Sequence, residues 1–208
     1  MLDRVRDAPG ELFASTRDYL EDVDRYWDRI SRFDKLERLQ SFRQPGHPSW
    51  DAFNAGLWNV ALTMLQRNRP TVAAEFAEDK RRGIVSHRVR VVDLPVTPYL
   101  HWELHSLKLR AEYGEIIRIV TPEALAPFER HQITPELIFM GDLAMYEIRY
   151  DDSGVLCGAR KFTDPVLIAG CIRDVHELFG CGEDLDTFFA REIAPLPPPG
   201  NLAAHPTH

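Results

Sequence analysis

The sequence predicts an α/β domain: a mixed sheet, made of a parallel βαβ pair plus an antiparallel meander, flanked by helices and preceded by an N-terminal helical extension. Three observations predict it. Residues 85–92 and 115–120 are β-branched runs on either side of a helical repeat, Leu100, Leu104, Leu107 and Ala111, and strand–helix–strand in so short a stretch is a βαβ unit. Residues 144–150 and 155–161 read as two strands around Asp151-Asp152-Ser153-Gly154, the composition of a hairpin loop. Tyr19, Val23, Tyr26, Ile30 and Phe33 recur at steps of 4, 3, 4 and 3, which is a single apolar helical stripe.

On that stripe residues 11–42 are predicted as helix, with Leu36, Leu39 and Phe42 continuing it after a bend near Asp34. Such a helix either folds back on the main domain or meets a second copy or a partner, so a homodimer through 11–42 stays open. Pro45-Gly46-His47-Pro48 then breaks the helix. The extension is therefore 1–44 and the α/β domain 45–192. Ser49 is the expected N-cap of a helix over 50–66, and Pro70 opens another that ends at Gly83. After the strand 85–92 come the helix 98–112, a stop at Gly114 and the strand 115–120. Residues 121–136 hold three prolines and read as loop, and 137–140 as a strand. Asp164-Pro165 is an N-cap and first-turn proline for a helix over 165–179, with a short helix over 183–192 behind it. Residues 193–208, with PLPPPG, read as a flexible tail.

Composition narrows the function classes. With 44% hydrophobic and 27% charged residues in 208, the chain is neither disordered nor a rod. No apolar run is long enough to span a membrane. A net charge of −7 argues against bulk nucleic-acid binding, although Lys80, Arg81, Arg82, His87, Arg88 and Arg90 make one locally basic stretch. The charged opening, 1–10, predicts no secretory signal. Three cysteines without a C-x-x-C pair read as reduced thiols, so a cytoplasmic location is expected.

The candidate chemistry centres on the βαβ unit. Tyr99 and Glu103 share a helix flank at i, i+4, Arg88 and Arg90 share a face of the preceding strand, and Arg118 sits on the following one. Such groups converge near the strand ends, where α/β sheets place ligands, as a buried structural ion pair or as the polar end of a pocket for a small anionic ligand. Tyr99, His101 and Glu103 are the groups an acid/base enzyme would use. His101 and His105 share a helix face, but no third ligand is placed nearby, so no metal and no cofactor are expected. Gly-x-Ser-x-Gly elbows and phosphate-cradling glycine loops are absent.

The segment 88–165 resembles an actinobacterial family of unknown function whose members are often encoded beside helix-turn-helix regulators. Arg90-Val91-Val92, Pro95, Tyr99, Trp102-Glu103-Leu104, Gly114-Glu115, Arg118, Tyr150-Asp151-Asp152, Gly154, Gly158 and Asp164-Pro165 carry the resemblance. Leu137-Ile138-Phe139-Met140-Gly141-Asp142 departs from the aromatic strand that this family shows there. The element order also looks like one half of a phospholipase D-like fold, but His-x-Lys, which carries the nucleophile of that fold, is missing. The resemblance, together with the absence of any complete catalytic set, points to a non-enzymatic binding or regulatory module that senses a small anionic ligand or docks a regulatory protein such as a helix-turn-helix partner. A small biosynthetic enzyme and a helix-mediated dimeriser are the alternatives.

Overall fold

In the computed structural model, which describes residues 1–199, every alternating segment enters one eight-stranded sheet. The strands are β1 (Glu11–Phe13), β2 (Arg32–Glu37), β3 (Val85–Val91), β4 (Ile116–Val120), β5 (Leu137–Met140), β6 (Ala144–Tyr150), β7 (Leu156–Phe162) and β8 (Glu183–Asp184). Their spatial order is β1-β7-β6-β5-β2-β3-β4-β8. β2, β3 and β4 run parallel, and the other pairings are antiparallel. The fold class is therefore the expected one: α/β, a mixed sheet between helices.

The helices are α1 (Thr16–Val23), α2 (Pro48–Asn54), α3 (Trp58–Arg67), α4 (Arg69–Arg82), α5 (Pro98–Glu112), α6 (Pro122–Leu125), α7 (Pro165–Cys181) and α8 (Leu185–Phe188). One sheet face buries Leu36, Val89, Val91, Leu137 and Phe139 against Ile168, Cys171, Val175 and Leu178 of α7. On the other face Val92, Ile117 and Ile119 pack against Leu100, Leu104 and Leu107 of α5. Outside α5, a layer of aromatic side chains from α2 and α3 (Trp50, Phe53, Trp58) packs on Trp102. No helix among the described residues is long and apolar enough to cross a membrane.

The N-terminal segment corrects the expectation of a helical extension. Residues 11–42 form β1, α1, a 3₁₀ turn over Asp24–Tyr26 and then β2, and β2 lies inside the sheet between β3 and β5. The apolar stripe is real, but it closes within the chain: Tyr19, Val23, Tyr26, Ile30 and Phe33 pack on Ile138, Met140, Tyr146 and Ala159. β2 carries no strand signature in the sequence because it is covered on both faces. Asp34 and Leu36 point to one side, Lys35 and Glu37 to the other, so the apolar–polar alternation of a half-buried strand is missing.

Smaller corrections have local causes. The single helix expected over 50–66 is split into α2 and α3 at Gly56, whose φ of +76° a side chain rarely adopts. His47, not Ser49, caps α2, its Nδ1 accepting from the Trp50 amide at 3.3 Å. Ser49 is buried instead, donating to the Ala61 carbonyl at 2.8 Å and accepting from the Trp102 indole N–H at 2.9 Å. The helix expected over 183–192 is β8, α8 and a π-helical turn over Phe189–Ile193. Ile193 is buried against the α5 side of the sheet, so it belongs to the fold rather than the tail; residues 200–208 lie outside the described residues.

Candidate functional site

Three elements build the site. β2 and β3 place Lys35 beside Arg88 and Glu37 beside Arg90 on one sheet face, by their parallel register. α5 crosses that face. Thr97 caps it, accepting from the Leu100 amide at 3.1 Å, and Pro98 supplies its first turn. The loop after β2 then passes over the strand ends. Gln40 ties it down, donating to the carbonyls of Arg38 and Val91 at 2.7 and 3.0 Å and accepting from the Asp93 amide at 2.8 Å. The Arg43 amide donates to Gly154 of the β6–β7 hairpin at 2.9 Å. This loop delivers Phe42, Arg43 and Gln44.

The result is a ladder of alternating charge. Arg110 contacts Glu115 at 2.6 Å, Glu115 contacts Arg88 at 2.8 Å, and Arg88 also pairs with Glu37. Arg90 Nε lies 4.0 Å from Glu37 and donates to Glu103 Oε2 at 2.7 Å. Its Nη2 is equally close to that oxygen but is not aligned as a donor, which leaves it without a hydrogen bond. The Tyr99 hydroxyl donates to the other Glu103 oxygen at 3.0 Å and accepts from Gln44 at 2.8 Å. Arg90 has 0% exposure and Glu103 7%, so these charges are tolerated only because they compensate one another.

Burial and neighbouring charge pull the acids in opposite directions. Burial acts to raise all of them, but Arg88 and Arg110 hold Glu115 at about 2. Against the same burial, Arg88, Lys35 and Arg90 hold Glu37 below the ordinary range. For Glu103 burial wins, with Arg90 opposing, and its pKa is raised. Glu136, just before β5, is pushed up to about 8 by burial; its Oε1 accepts from the Arg38 and Leu39 amides at 2.6 Å each, while Oε2 has no partner. Lys35 is pushed down to about 8, first by burial and then by Arg88.

Beside the ladder lies a cavity of about 500 Å³, with Lys35, Glu37, Arg43, Arg88, Tyr99 and Glu103 among its lining. Lys35 and Arg43 reach it with no ion-pair partner among the described residues. Arg43 acts on Asp151 only through space, helping the hydrogen bonds from Ser153 and Val155 to hold that carboxyl low. The cavity lies against the α5 face of the parallel strands, with Lys35, Glu37 and Arg88 on its sheet wall and Tyr99, Glu103 and Arg110 on its helix wall.

Residues 21–190 match the family described as Domain of unknown function (DUF6879). The chain belongs to this family. No curated protein and no solved structure matches it. The part of the DUF6879 domain matched here runs from α1 to the π-helical turn and includes every residue of the charge ladder.

Of the site residues expected from the sequence, the fold brings Arg88, Arg90, Tyr99 and Glu103 together and leaves Arg118 and His101 out. Arg118 is registered opposite Val89, so it projects to the α7 face, over the Phe179 ring at 5.7 Å and 3.4 Å from Asp184. His101 turns away from Glu103 and packs at a tilt on Trp58, ring centroids 4.5 Å apart, with His105 beside it. Burial lowers the pKa of both histidines, that of His105 to about 4, so both are neutral packing groups at neutral pH. The trio Tyr99, His101 and Glu103 is therefore split. Lys35, Glu37, Phe42, Arg43, Gln44 and Glu136 were not among the sequence candidates. The usable signal was the opposition of Phe33, Lys35 and Glu37 to Asp34 and Leu36, which the stripe before it disguised.

Proposed function

We propose that this DUF6879 domain is a binding module that takes a small anionic ligand into the cavity between β2, β3 and α5. One observation carries the reading. Arg88 and Arg90 are already engaged by Glu37, Glu103 and Glu115, whereas Lys35 and Arg43 line the cavity and make no ion pair among the described residues. An anionic group there gains two charge-assisted contacts and relieves the burial of the Lys35 ammonium. The ladder behind it keeps the wall rigid. A regulatory role, with ligand binding as the input to a partner protein, extends this reading. The enzyme alternative is less well supported, because His101 faces away from Tyr99 and Glu103 and the Tyr99 hydroxyl is engaged on both sides.

The test is thermal unfolding of the full chain titrated with propionate and with inorganic phosphate. At least one of the two is expected to raise the melting temperature progressively with concentration. The rise should disappear in Lys35→Met and shrink in Arg43→Gln. It should also weaken as pH passes about 8, where Lys35 loses its proton. Flat melting curves with both anions, or equal shifts in wild type and Lys35→Met, would refute the reading.

A further inference from the structure

We propose that the ligand joins its acidic group to a flat aromatic group, and that a second cavity beyond Phe42 and Tyr99 receives the ring; this inference rests on the anionic-ligand reading above. The second cavity measures about 740 Å³ and has Phe42, Trp50, Phe53, Pro98 and Tyr99 among its lining. It shares Phe42, Arg43 and Tyr99 with the first. The two cavities therefore share a wall of two aromatic rings and one guanidinium that makes no ion pair among the described residues.

Three further observations favour this occupant. The walls are rings already held in place: Phe42 packs on Tyr99 at 5.6 Å and on Tyr150 at 4.9 Å, and Phe53 stacks on Trp102 at 5.6 Å. Preset rings accept another ring edge-to-face or offset-stacked better than they accept a flexible chain. Next, Trp50 is 4% exposed, yet its indole N–H has no hydrogen-bond partner. A buried donor left unpaired is costly, and an oxygen substituent on the ring would satisfy it. Last, Asp152 also lines the second cavity, which disfavours an acidic group there. The ligand is thereby oriented, with its ring toward Trp50 and its acid toward Arg43 and Lys35.

The experiment is calorimetric titration of the full chain with 3-phenylpropionate, propionate and 3-phenylpropan-1-ol. The acid with the ring is expected to bind at least tenfold more tightly than either of the others. Asn54→Phe fills the second cavity from an exposed position, so it should not impair folding. It should abolish the ring's advantage and leave propionate binding unchanged. Equal affinities for 3-phenylpropionate and propionate would overturn the aromatic subsite and leave the anion site standing. So would a ring advantage that persists in Asn54→Phe. An alcohol that binds as tightly as the acid would overturn the anionic reading and the joint ligand with it; no binding by any of the three would overturn the joint ligand and leave the phosphate titration to decide the anion site.

Discussion

Arg90 and Glu136 carry the same physics with opposite outcomes. Arg90 keeps its charge in full burial because Glu103 and Glu37 face it and the Glu37 and Val91 carbonyls accept from it. Glu136 receives two backbone donors but no close cation on its second oxygen, so burial dominates and the carboxyl holds its proton up to about pH 8. Between the ordinary 4.5 and that value, the folded state binds a proton that the unfolded chain has released. The contribution to stability is fully present below that window and is lost as pH rises through it. Glu136→Gln keeps an acceptor for the Arg38 and Leu39 amides and removes the titration. Its stability, measured by urea unfolding across the window, should fall with pH by roughly 2–4 kcal/mol less than that of wild type. Parallel slopes for the two proteins would contradict the assignment. At this level the sequence made Arg88, Arg90, Tyr99 and Glu103 legible, because helix and strand periods put them on facing surfaces. Arg118 was misplaced for a reason of register: Arg88 and Arg90 lie opposite Ile117 and Ile119, so a shift of one residue sends Arg118 to the other side.

Among the elements, those with private punctuation read correctly. Asp164-Pro165 and Gly83 mark helix ends by caps that need no tertiary partner, and α4 and α7 end or begin as they dictate. The strands with one covered face, or flanked by a tight turn, were also visible. β1 was not. It is three residues long, it exists only by pairing with β7, and it depends on a close approach of backbone at Gly158. Gly158 has φ +148°, and a Cβ there would lie 2.2 Å from the Phe13 carbonyl oxygen. Gly158→Ala should therefore release β1 and cost about 3 kcal/mol. Hydrogen exchange would show it as lost protection at Phe13 and at the facing β7 amides. Retained protection with unchanged stability would mean that the strands tolerate the extra carbon.

For the molecule as a whole, the unexpected feature is where the first 44 residues go. They supply β1 at one edge and β2 in the interior of the sheet, and β2 brings Lys35 and Glu37 into the cavity. A chain beginning at residue 45 would expose the flanks of β3 and β5 and leave Arg88 and Arg90 without Glu37. It should show no cooperative thermal transition by circular dichroism. A sharp transition with native-like sheet content would return the segment to the status of an extension.

By itself the sequence determined the α/β class, the βαβ unit, the β6–β7 hairpin and half of the charge ladder, since each is encoded by local period, caps and turns. Only the tertiary structure decided the rest: that a strand precedes the first linker, that Lys35 from it and Arg43 from the loop behind it line the cavity without an ion pair among the described residues, and that His101 and Arg118 face away. Those outcomes depend on pairing partners far apart in the chain and on a strand buried on both faces. A pattern read along one segment does not contain that information.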